Sequence, residues 1–294
     1  MLYDDRHTDV HRVPTTITAD DGRELAATWF EPSGSAAHEI VGAVLLAPAM
    51  ATPAAYYAAF ATWLAANGFR TLTFDLRGTE SVAAMKSEKA DVLRWFGDMA
   101  DALDHVLQEA DGLPVSWVGH SLGGQAIPFV DHSRLDRIVN VASGTGYWRL
   151  NAPAIRWRAP LLWLGIAPLA TRVAGYYPGR SLRILDNVPA GVMRQWGRWC
   201  LHADYLGVDV PNAAERFASV TTPMTVLSFT DDELMSRASI ADLHDRFVNA
   251  DQVHQRYSPA QLEVPKMGHH GFFRARHADL WDELVLPYLA SRVA

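Results

Sequence analysis

The sequence predicts an α/β protein whose central sheet is mostly parallel and flanked by helices. Short apolar or β-branched runs alternate with stretches of helical apolar spacing through most of the 294 residues. A run without formal charge, from residue 40 to residue 69, fits a buried strand followed by a turn and a helix. Such alternation is typical of parallel sheets, because helical crossovers cover both faces of the sheet.

Turn signals and apolar periodicity divide the chain into predicted elements. Asp20-Asp21-Gly22 is a turn signal between the first two strands, which form an opening hairpin. Pro48 and Pro53 interrupt the run at 40–69, so no transmembrane segment is predicted there. Strands are predicted at residues 13–19, 25–30, 41–46, 70–75, 115–119, 137–142 and 224–229, with a strand-like stretch at 252–263. Helices are predicted at residues 54–67, 91–109, 122–129, 236–249 and 277–291.

Composition and charge exclude several classes of function. Apolar residues make up 49% and charged residues 20% of the chain, far from the composition of disordered proteins. The net charge of −7 offers no basic field for phosphates, so nucleic acid is not an expected partner. The single cysteine, Cys200, can close no intrachain disulfide. The first seven residues are acidic and polar, unlike a secretory signal, so a cytoplasmic location is expected.

The strongest local signal is Gly119-His120-Ser121-Leu122-Gly123, between a predicted strand and a predicted helix. The pattern G-x-S-x-G in that setting is typical of a nucleophile elbow. A strand that turns sharply into a helix holds the serine in a strained backbone conformation, and the glycines avoid collisions. Ser121 is therefore the candidate nucleophile, at the carboxyl end of the sheet.

A serine nucleophile needs a histidine base and an acid that orients the histidine. Asp231-Asp232, after the strand at 224–229, offers the acid, and His269-His270, before the last helix, offers the base. Both pairs come in the chain order expected after a nucleophile elbow. Loop register leaves the choice within each pair open.

These segments together resemble the α/β-hydrolase superfamily, most closely its bacterial serine aminopeptidase-like and monoacylglycerol lipase-like hydrolases. The resemblance extends over nearly the whole chain and implies an α/β-hydrolase fold. It favours Asp232 over Asp231 as the acid and His269 over His270 as the base. The markers are Leu45-Leu46-Ala47-Pro48-Ala49-Met50, Phe74-Asp75-Leu76-Arg77-Gly78, the elbow at Ser121, Asp231-Asp232 and Gly268-His269-His270-Gly271-Phe272-Phe273.

The resemblance also implies an oxyanion hole made of two backbone N–H groups. One belongs to Leu122 and the other to the loop after the strand at 41–46. Pro48 has no N–H, which leaves Ala49 or Met50, and Met50 is favoured. Relatives often carry His-Gly in this loop and a further glycine at the position of Glu80, so the chain departs from the pattern at both places.

The strand–helix alternation stops at residues 147–216, where no convincing strand is found. The resemblance makes this segment a helical cap inserted after the sixth strand, with residues 1–146 and 217–294 as the core. The segment carries nine arginines against four acidic residues. Its aromatic density fits the wall of an apolar pocket. The candidate pocket residues are Trp148, Trp163, Trp196 and Trp199.

The function predicted from these residues is serine-dependent hydrolysis of a carboxylic ester through an acyl-enzyme on Ser121. The expected partner is a small-molecule ester or acyl substrate, and no organic or metal cofactor is implied. Two alternatives stay open. One is an acyltransferase or an amidase or peptidase with the same triad, and the other is a non-catalytic binding protein on the same fold.

Overall fold

The computed structural model describes residues 10–34 and 40–289. Within these residues, eight of the ten strands form one sheet, while two short strands pair separately as an antiparallel hairpin. The strands are β1 (Val10–Thr18), β2 (Glu24–Pro32), β3 (Gly42–Ala47), β4 (Phe69–Phe74), β5 (Val115–His120), β6 (Arg137–Val141), β7 (Tyr176–Pro178), β8 (Asn187–Pro189), β9 (Met224–Phe229) and β10 (Gln252–Tyr257).

The large sheet has the order β1-β2-β4-β3-β5-β6-β9-β10. Both neighbours of β2 run antiparallel to it, and every other pair in the sheet is parallel. Every residue of β3, β5 and β9 is buried, because helices cover both faces of the central strands. The α/β class and the mostly parallel sheet predicted from the sequence are confirmed.

The helices lie in the connections between the strands. The longest begins after Asp91, whose carboxylate accepts a hydrogen bond from Arg94 N at 2.9 Å, and it turns a row of apolar residues toward the sheet. The helices are α1 (Ala58–Ala66), α2 (Val82–Ser87), α3 (Val92–Glu109), α4 (Leu122–Gln125), α5 (Pro153–Arg156), α6 (Ala159–Leu161), α7 (Ala167–Ala174), α8 (Gly179–Leu182), α9 (Ala190–Leu201), α10 (Ala213–Ser219), α11 (Arg237–His244), α12 (Trp281–Leu284) and α13 (Leu286–Leu289).

Short irregular helices complete the connections. A π-helical turn, Leu162–Ile166, joins α6 to α7. The 3-10 turns are Ala54–Tyr57, Ile127–Phe129, His132–Arg134, Tyr205–Val208 and Ala275–Leu280. Within residues 10–34 and 40–289, no helix combines the length and the apolar character that a bilayer crossing requires.

Several predicted elements are shorter or more broken than the sequence indicated. The helix predicted at 122–129 is α4 followed by a 3-10 turn, since Pro128 has no N–H to continue the α-helical bonds. The helix predicted at 236–249 ends at His244, and the strand-like stretch at 252–263 is a strand only to Tyr257. The last predicted helix, 277–291, is a 3-10 turn followed by α12 and α13, and its residues 290 and 291 lie outside the described part of the chain.

The segment 147–216 differs from prediction in one respect, because it contains the hairpin of β7 and β8. Tyr177 pairs with Val188 at the centre of this hairpin. Each strand has only three residues and one of them is a proline, so neither gives the alternating pattern by which strands are recognised in a sequence. The rest of the segment is helical or irregular.

A buried ionic cluster fastens the β1–β2 turn to α3. The Arg77 guanidinium donates to both carboxylate oxygens of Asp98, at 2.8 and 2.5 Å, and to Asp21 Oδ2 in the turn, at 2.6 Å. Arg94 also donates to Asp98, at 3.2 Å, and to Asp101 at 2.8 Å. Asp98 is fully buried, so its negative charge depends on these two guanidinium groups for compensation.

We expect Asp98→Asn to lower the free energy of unfolding by about 3–5 kcal/mol, since the buried Arg77 then keeps only the half-exposed Asp21 as a counter-charge. Glu80→Gln is the control, because it breaks an exposed ion pair with Arg23 and should cost less than about 1 kcal/mol. Urea unfolding followed by circular dichroism measures both. Equal losses in the two variants would contradict the role given to the cluster.

Candidate active site

Ser121 lies on a sharp turn between β5 and α4, with a φ of 51° that L-residues seldom adopt. Close packing forces this turn. A Cβ on Gly123 would lie 2.2 Å from the carbonyl oxygen of Ala47, and one on Gly124 would lie 2.4 Å from Ser143 Oγ. The strand, the strained serine and the crowded glycines together give the geometry typical of a nucleophile elbow.

Asp232 and His269 are brought into direct contact at the carboxyl end of the sheet. His269 Nδ1 lies 2.9 Å from Asp232 Oδ2, and both side chains are almost fully buried. The other carboxylate oxygen, Oδ1, accepts hydrogen bonds from the backbone N–H groups of Leu234 and Met235, each at 2.8 Å. The carboxylate is therefore held from both sides, and it fixes the orientation of the imidazole.

The acidic residues on either side of Asp232 contact the backbone of the histidine loop instead of an imidazole. Asp231 Oδ2 accepts hydrogen bonds from Met267 N at 2.9 Å and from Gly268 N at 3.1 Å. Glu233 Oε2 accepts one from His269 N at 3.2 Å. Three consecutive carboxylates thus hold one loop, but only the middle one reaches a ring nitrogen.

The geometry separates the alternatives that the sequence left open. Asp232, not Asp231, contacts an imidazole, and His269, not His270, is the histidine contacted. The backbone carbonyl of His270 accepts a hydrogen bond from the Tyr56 hydroxyl, and its ring lies edge-on to that of Tyr56 at 6.0 Å. Burial, followed by the charge of His269, lowers the pKa of His270 to about 4.

A buried chain of hydrogen bonds connects the elbow to the two neighbouring loops. Ala49 N donates to the Tyr57 hydroxyl at 2.8 Å, and that hydroxyl lies 2.8 Å from His120 Nδ1. His120 Nε2 lies 3.1 Å from the carbonyl oxygen of His269. Burial holds the pKa of His120 well below its usual value and raises the pKa of Tyr57. The neutral His120 therefore accepts from Tyr57 O–H at Nδ1 and donates to the carbonyl from Nε2–H.

These linked hydrogen bonds were not predicted from the sequence, although the sequence contains a signal for them. His120 stands between a glycine and Ser121 at the end of an apolar strand, where a polar side chain needs a buried partner. The chain also brings the elbow close to the base, because the ring centroids of His120 and His269 are 5.4 Å apart.

The hydrogen bond of Ala49 helps to compare the candidate oxyanion donors, of which Leu122 and Met50 were favoured. The N–H of Leu122 is at the first position of α4, where a helix has no internal acceptor for it. The N–H of Ala49 is occupied by Tyr57. Within the part of the chain that is described, the N–H of Met50 has no acceptor.

Three histidines could in principle hold a metal ion. Ligand atoms of His120, His269 and His270 lie within 4.8 Å of one another. However, both ring nitrogens of His120 already have partners, in Tyr57 and the His269 carbonyl, and His269 Nδ1 contacts Asp232. A metal bound by all three rings would have to break the contacts of His120, so the donor set fits a hydrogen-bonded site better than a metal centre.

A cavity of about 520 Å³ lies beneath the helices of the segment 147–216. Its walls are mostly apolar and include Leu234 and Met235, whose backbone N–H groups hold Asp232, but none of Ser121, Asp232 and His269 lines it. Trp163 and Trp196 line it, with their ring centroids 4.9 Å apart and their planes nearly perpendicular.

The other two tryptophans proposed as pocket residues are not among the residues that line this cavity. Trp199 is fully buried, packs on Phe96 of α3 and donates a hydrogen bond from its indole N–H to Asp209 at 2.8 Å. Trp148 is half-buried and packs edge-on against Trp157. Trp199 and Trp148 therefore lie outside the wall of this cavity, because Trp199 on α9 packs toward α3 and Trp148 in a turn packs against Trp157.

Comparison with known proteins agrees with this fold. The family described as serine aminopeptidase, S33, matches residues 38–174. No curated protein sequence matches the chain. The chain is thus similar to this family over part of its length, and the solved structures show that it has the α/β-hydrolase fold.

Solved structures of low sequence identity share the fold over almost the whole chain. A soluble variant of monoglyceride lipase from Saccharomyces cerevisiae, in complex with a substrate analog, is 15% identical with a TM-score of 0.67, covering 98% of this chain and 99% of that one. A cold-adapted esterase from an Arctic intertidal metagenomic library is 17% identical with a TM-score of 0.54, covering 96% and 97%. The thioesterase domain from the curacin biosynthetic pathway is 15% identical with a TM-score of 0.54, covering 93% and 99%.

We expect Tyr57→Phe to lower the free energy of unfolding by about 1–3 kcal/mol, because it leaves the buried Ala49 N–H and His120 Nδ1 without their shared partner. Tyr257→Phe is the matched control, since it removes a hydroxyl that contacts only Gln255 at a half-buried position. Urea unfolding at pH 7 measures both variants. A loss no larger in Tyr57→Phe than in Tyr257→Phe would contradict the hydrogen-bond chain.

Stability should also fall as the pH is lowered from about 6.5 toward 4. The pKa of His270 and that of the buried His244 are lowered to about 4, from 6.5, mainly by burial. The unfolded chain therefore binds protons in this range that the folded chain does not, at about 1–2 kcal/mol per histidine by pH 5. Urea unfolding at pH 7 and pH 5 should show a smaller loss in His270→Gln than in the wild type. An equal loss would mean that His270 is not kept neutral by the fold.

Proposed function

We propose that the protein is a cofactor-independent serine hydrolase that cleaves a carboxylic ester. The observation that carries the proposal is the 2.9 Å contact between His269 Nδ1 and Asp232, at the sheet edge where Ser121 occupies a strained elbow. A histidine oriented by a buried carboxylate beside a serine on such a turn is the arrangement that serine hydrolysis requires.

The proposed reaction proceeds through an acyl-enzyme. His269 takes the proton of Ser121 while Oγ attacks the ester carbonyl, and Asp232 stabilises the imidazolium that forms. The backbone N–H groups of Leu122 and Met50 donate hydrogen bonds to the carbonyl oxygen and stabilise the negative charge that develops on it. His269 then returns the proton to the leaving alcohol, and water releases the acyl group by the same steps.

We further propose that residues 147–216 act as a cap over a core formed by residues 1–146 and 217–294. The apolar cavity beneath this segment, with Trp163 and Trp196 in its wall, supports a small-molecule substrate that carries an apolar acyl group. The monoglyceride lipase and the esterase with the same fold support an ester as the reacting bond.

Amide cleavage is the second candidate, and the match to the serine aminopeptidase family favours it. The same acyl-enzyme serves both reactions, so the difference lies in the leaving group. A panel of ester, thioester and amide substrates with one shared acyl group would separate them, because the preferred bond gives the largest kcat/KM.

We expect Ser121→Ala to lower kcat for short p-nitrophenyl esters by about 10⁶-fold and to abolish labelling by a fluorophosphonate probe. Asp232→Asn should lower kcat by about 10⁴-fold, because an amide no longer stabilises the imidazolium. The matched control is Asp231→Asn, whose amide oxygen still accepts from Met267 and Gly268, and it should lose less than about tenfold.

The corresponding pair for the base is His269→Gln against His270→Gln, with only the former expected to be inactive. Folding of each variant is checked by circular dichroism. Wild-type turnover in Ser121→Ala, or a folded wild-type protein that neither labels nor turns over any substrate of the panel, would overturn the proposed function.

A further inference from the structure

The helical segment from Pro153 to Ala174 presents an apolar face to solvent. Five large side chains on this face are between 65% and 80% exposed. A single exposed apolar residue needs no explanation, but a continuous row of this size is unusual on a monomeric surface. We call this row the cap face. It consists of Trp157, Leu161, Leu164, Leu169 and Val173.

The π-helical turn keeps the five residues on one face. Trp157, Leu161 and Leu164 follow one another at spacings of four and three residues, which an α-helix places in one row. The next spacing, from Leu164 to Leu169, is five residues and would turn Leu169 aside in a regular α-helix. The turn Leu162–Ile166 takes up one extra residue, so Leu169, and Val173 four residues later, return to the row.

The opposite side of the same segment is buried. Ala159, Trp163, Ala167 and Thr171 recur every four residues, and all are less than 9% exposed. The segment therefore has one row of residues packed on the protein and a second apolar row that stays largely exposed, in which Trp157 also contacts Trp148 edge-on. The irregular turn preserves both rows.

Positive charge surrounds the cap face. Residues 147–185 contain six arginines and no acidic residue. Arg156, Arg158 and Arg172 lie within the helical segment, on either side of the face, and in the described residues none of them is in an ion pair. An apolar helix face with a tryptophan, flanked by arginines, is typical of a helix that lies in the surface of an anionic membrane.

We propose that the cap face docks on an anionic lipid surface, with the five apolar side chains inserted among the lipids and the flanking arginines against the headgroups. A second copy of the chain fits less well, because a symmetric contact through this face would bring the two sets of arginines together. This proposal goes beyond the proposed function and does not depend on catalysis. Docking would place the cavity one helix away from the lipid, since Leu161, Leu162 and Trp163 also line that cavity.

The test is sedimentation of the full chain with vesicles of phosphatidylglycerol and phosphatidylcholine, compared with vesicles of phosphatidylcholine alone. We expect binding to the anionic vesicles that weakens as salt is raised, and little binding to the neutral ones. Replacing Arg156, Arg158 and Arg172 together by Gln should weaken binding on the order of a hundredfold, at about fivefold per arginine. Arg134→Gln, at an exposed arginine outside the segment, should change it by less than about twofold.

The apolar contribution is tested with Leu164→Glu and Val173→Glu, each of which should weaken binding by at least about tenfold. Val248→Glu is the matched control, because Val248 is exposed to a similar extent but lies outside residues 147–216. Circular dichroism shows that each variant folds, and Ser121→Ala, which should bind like the wild type, separates docking from catalysis. The proposal is overturned if anionic vesicles do not bind at low salt, if Leu164→Glu behaves like Val248→Glu, or if Leu164→Glu only dissolves a dimer.

Discussion

The arrangement of the site depends on one buried chain of hydrogen bonds, from Ala49 through Tyr57 and His120 to the backbone of His269. It joins three loops that are far apart in sequence and meet at the carboxyl edge of the sheet. Because the chain is fully buried, each of its polar groups depends on the next for a partner, and a shift in one loop leaves an unpaired group in another. The residue between Gly119 and Ser121 thus has a structural task that the G-x-S-x-G pattern does not specify.

A second set of contacts at the site is made by three consecutive acidic residues, Asp231, Asp232 and Glu233. All three accept hydrogen bonds from the histidine side of the site, but they differ in what they hold. The outer two fix the backbone, while the middle one orients the imidazole. The chain turns just after β9, at residues 230–233, so these neighbouring side chains point in different directions and only that of Asp232 meets the ring.

Much of the fold followed from the sequence, because buried parallel strands and turn residues leave strong local patterns. The elbow was equally visible, since its glycines and serine stand in a fixed local pattern between a strand and a helix, even though the atoms that crowd Gly123 and Gly124 belong to distant residues. What failed depended on distant neighbours or on elements too short to show a period. The three-residue strands around Tyr177 and Val188, the break at Pro128 and the separate packing of Trp199 belong to these classes. Spacing alone could not choose within the pairs at 231–232 and 269–270, because loop geometry decides which side chains meet.

The two strands at the ends of the sheet have a consequence for how molecules of this protein meet in solution. β1 carries Arg12 and Pro14 with most of its side chains exposed, and β10 carries His254 and Arg256. A proline cannot donate to a neighbouring strand, and charged or polar side chains oppose the stacking of one edge on another. These residues therefore oppose the pairing of either edge strand with a strand of a second molecule, so the sheet ends within one copy of the chain.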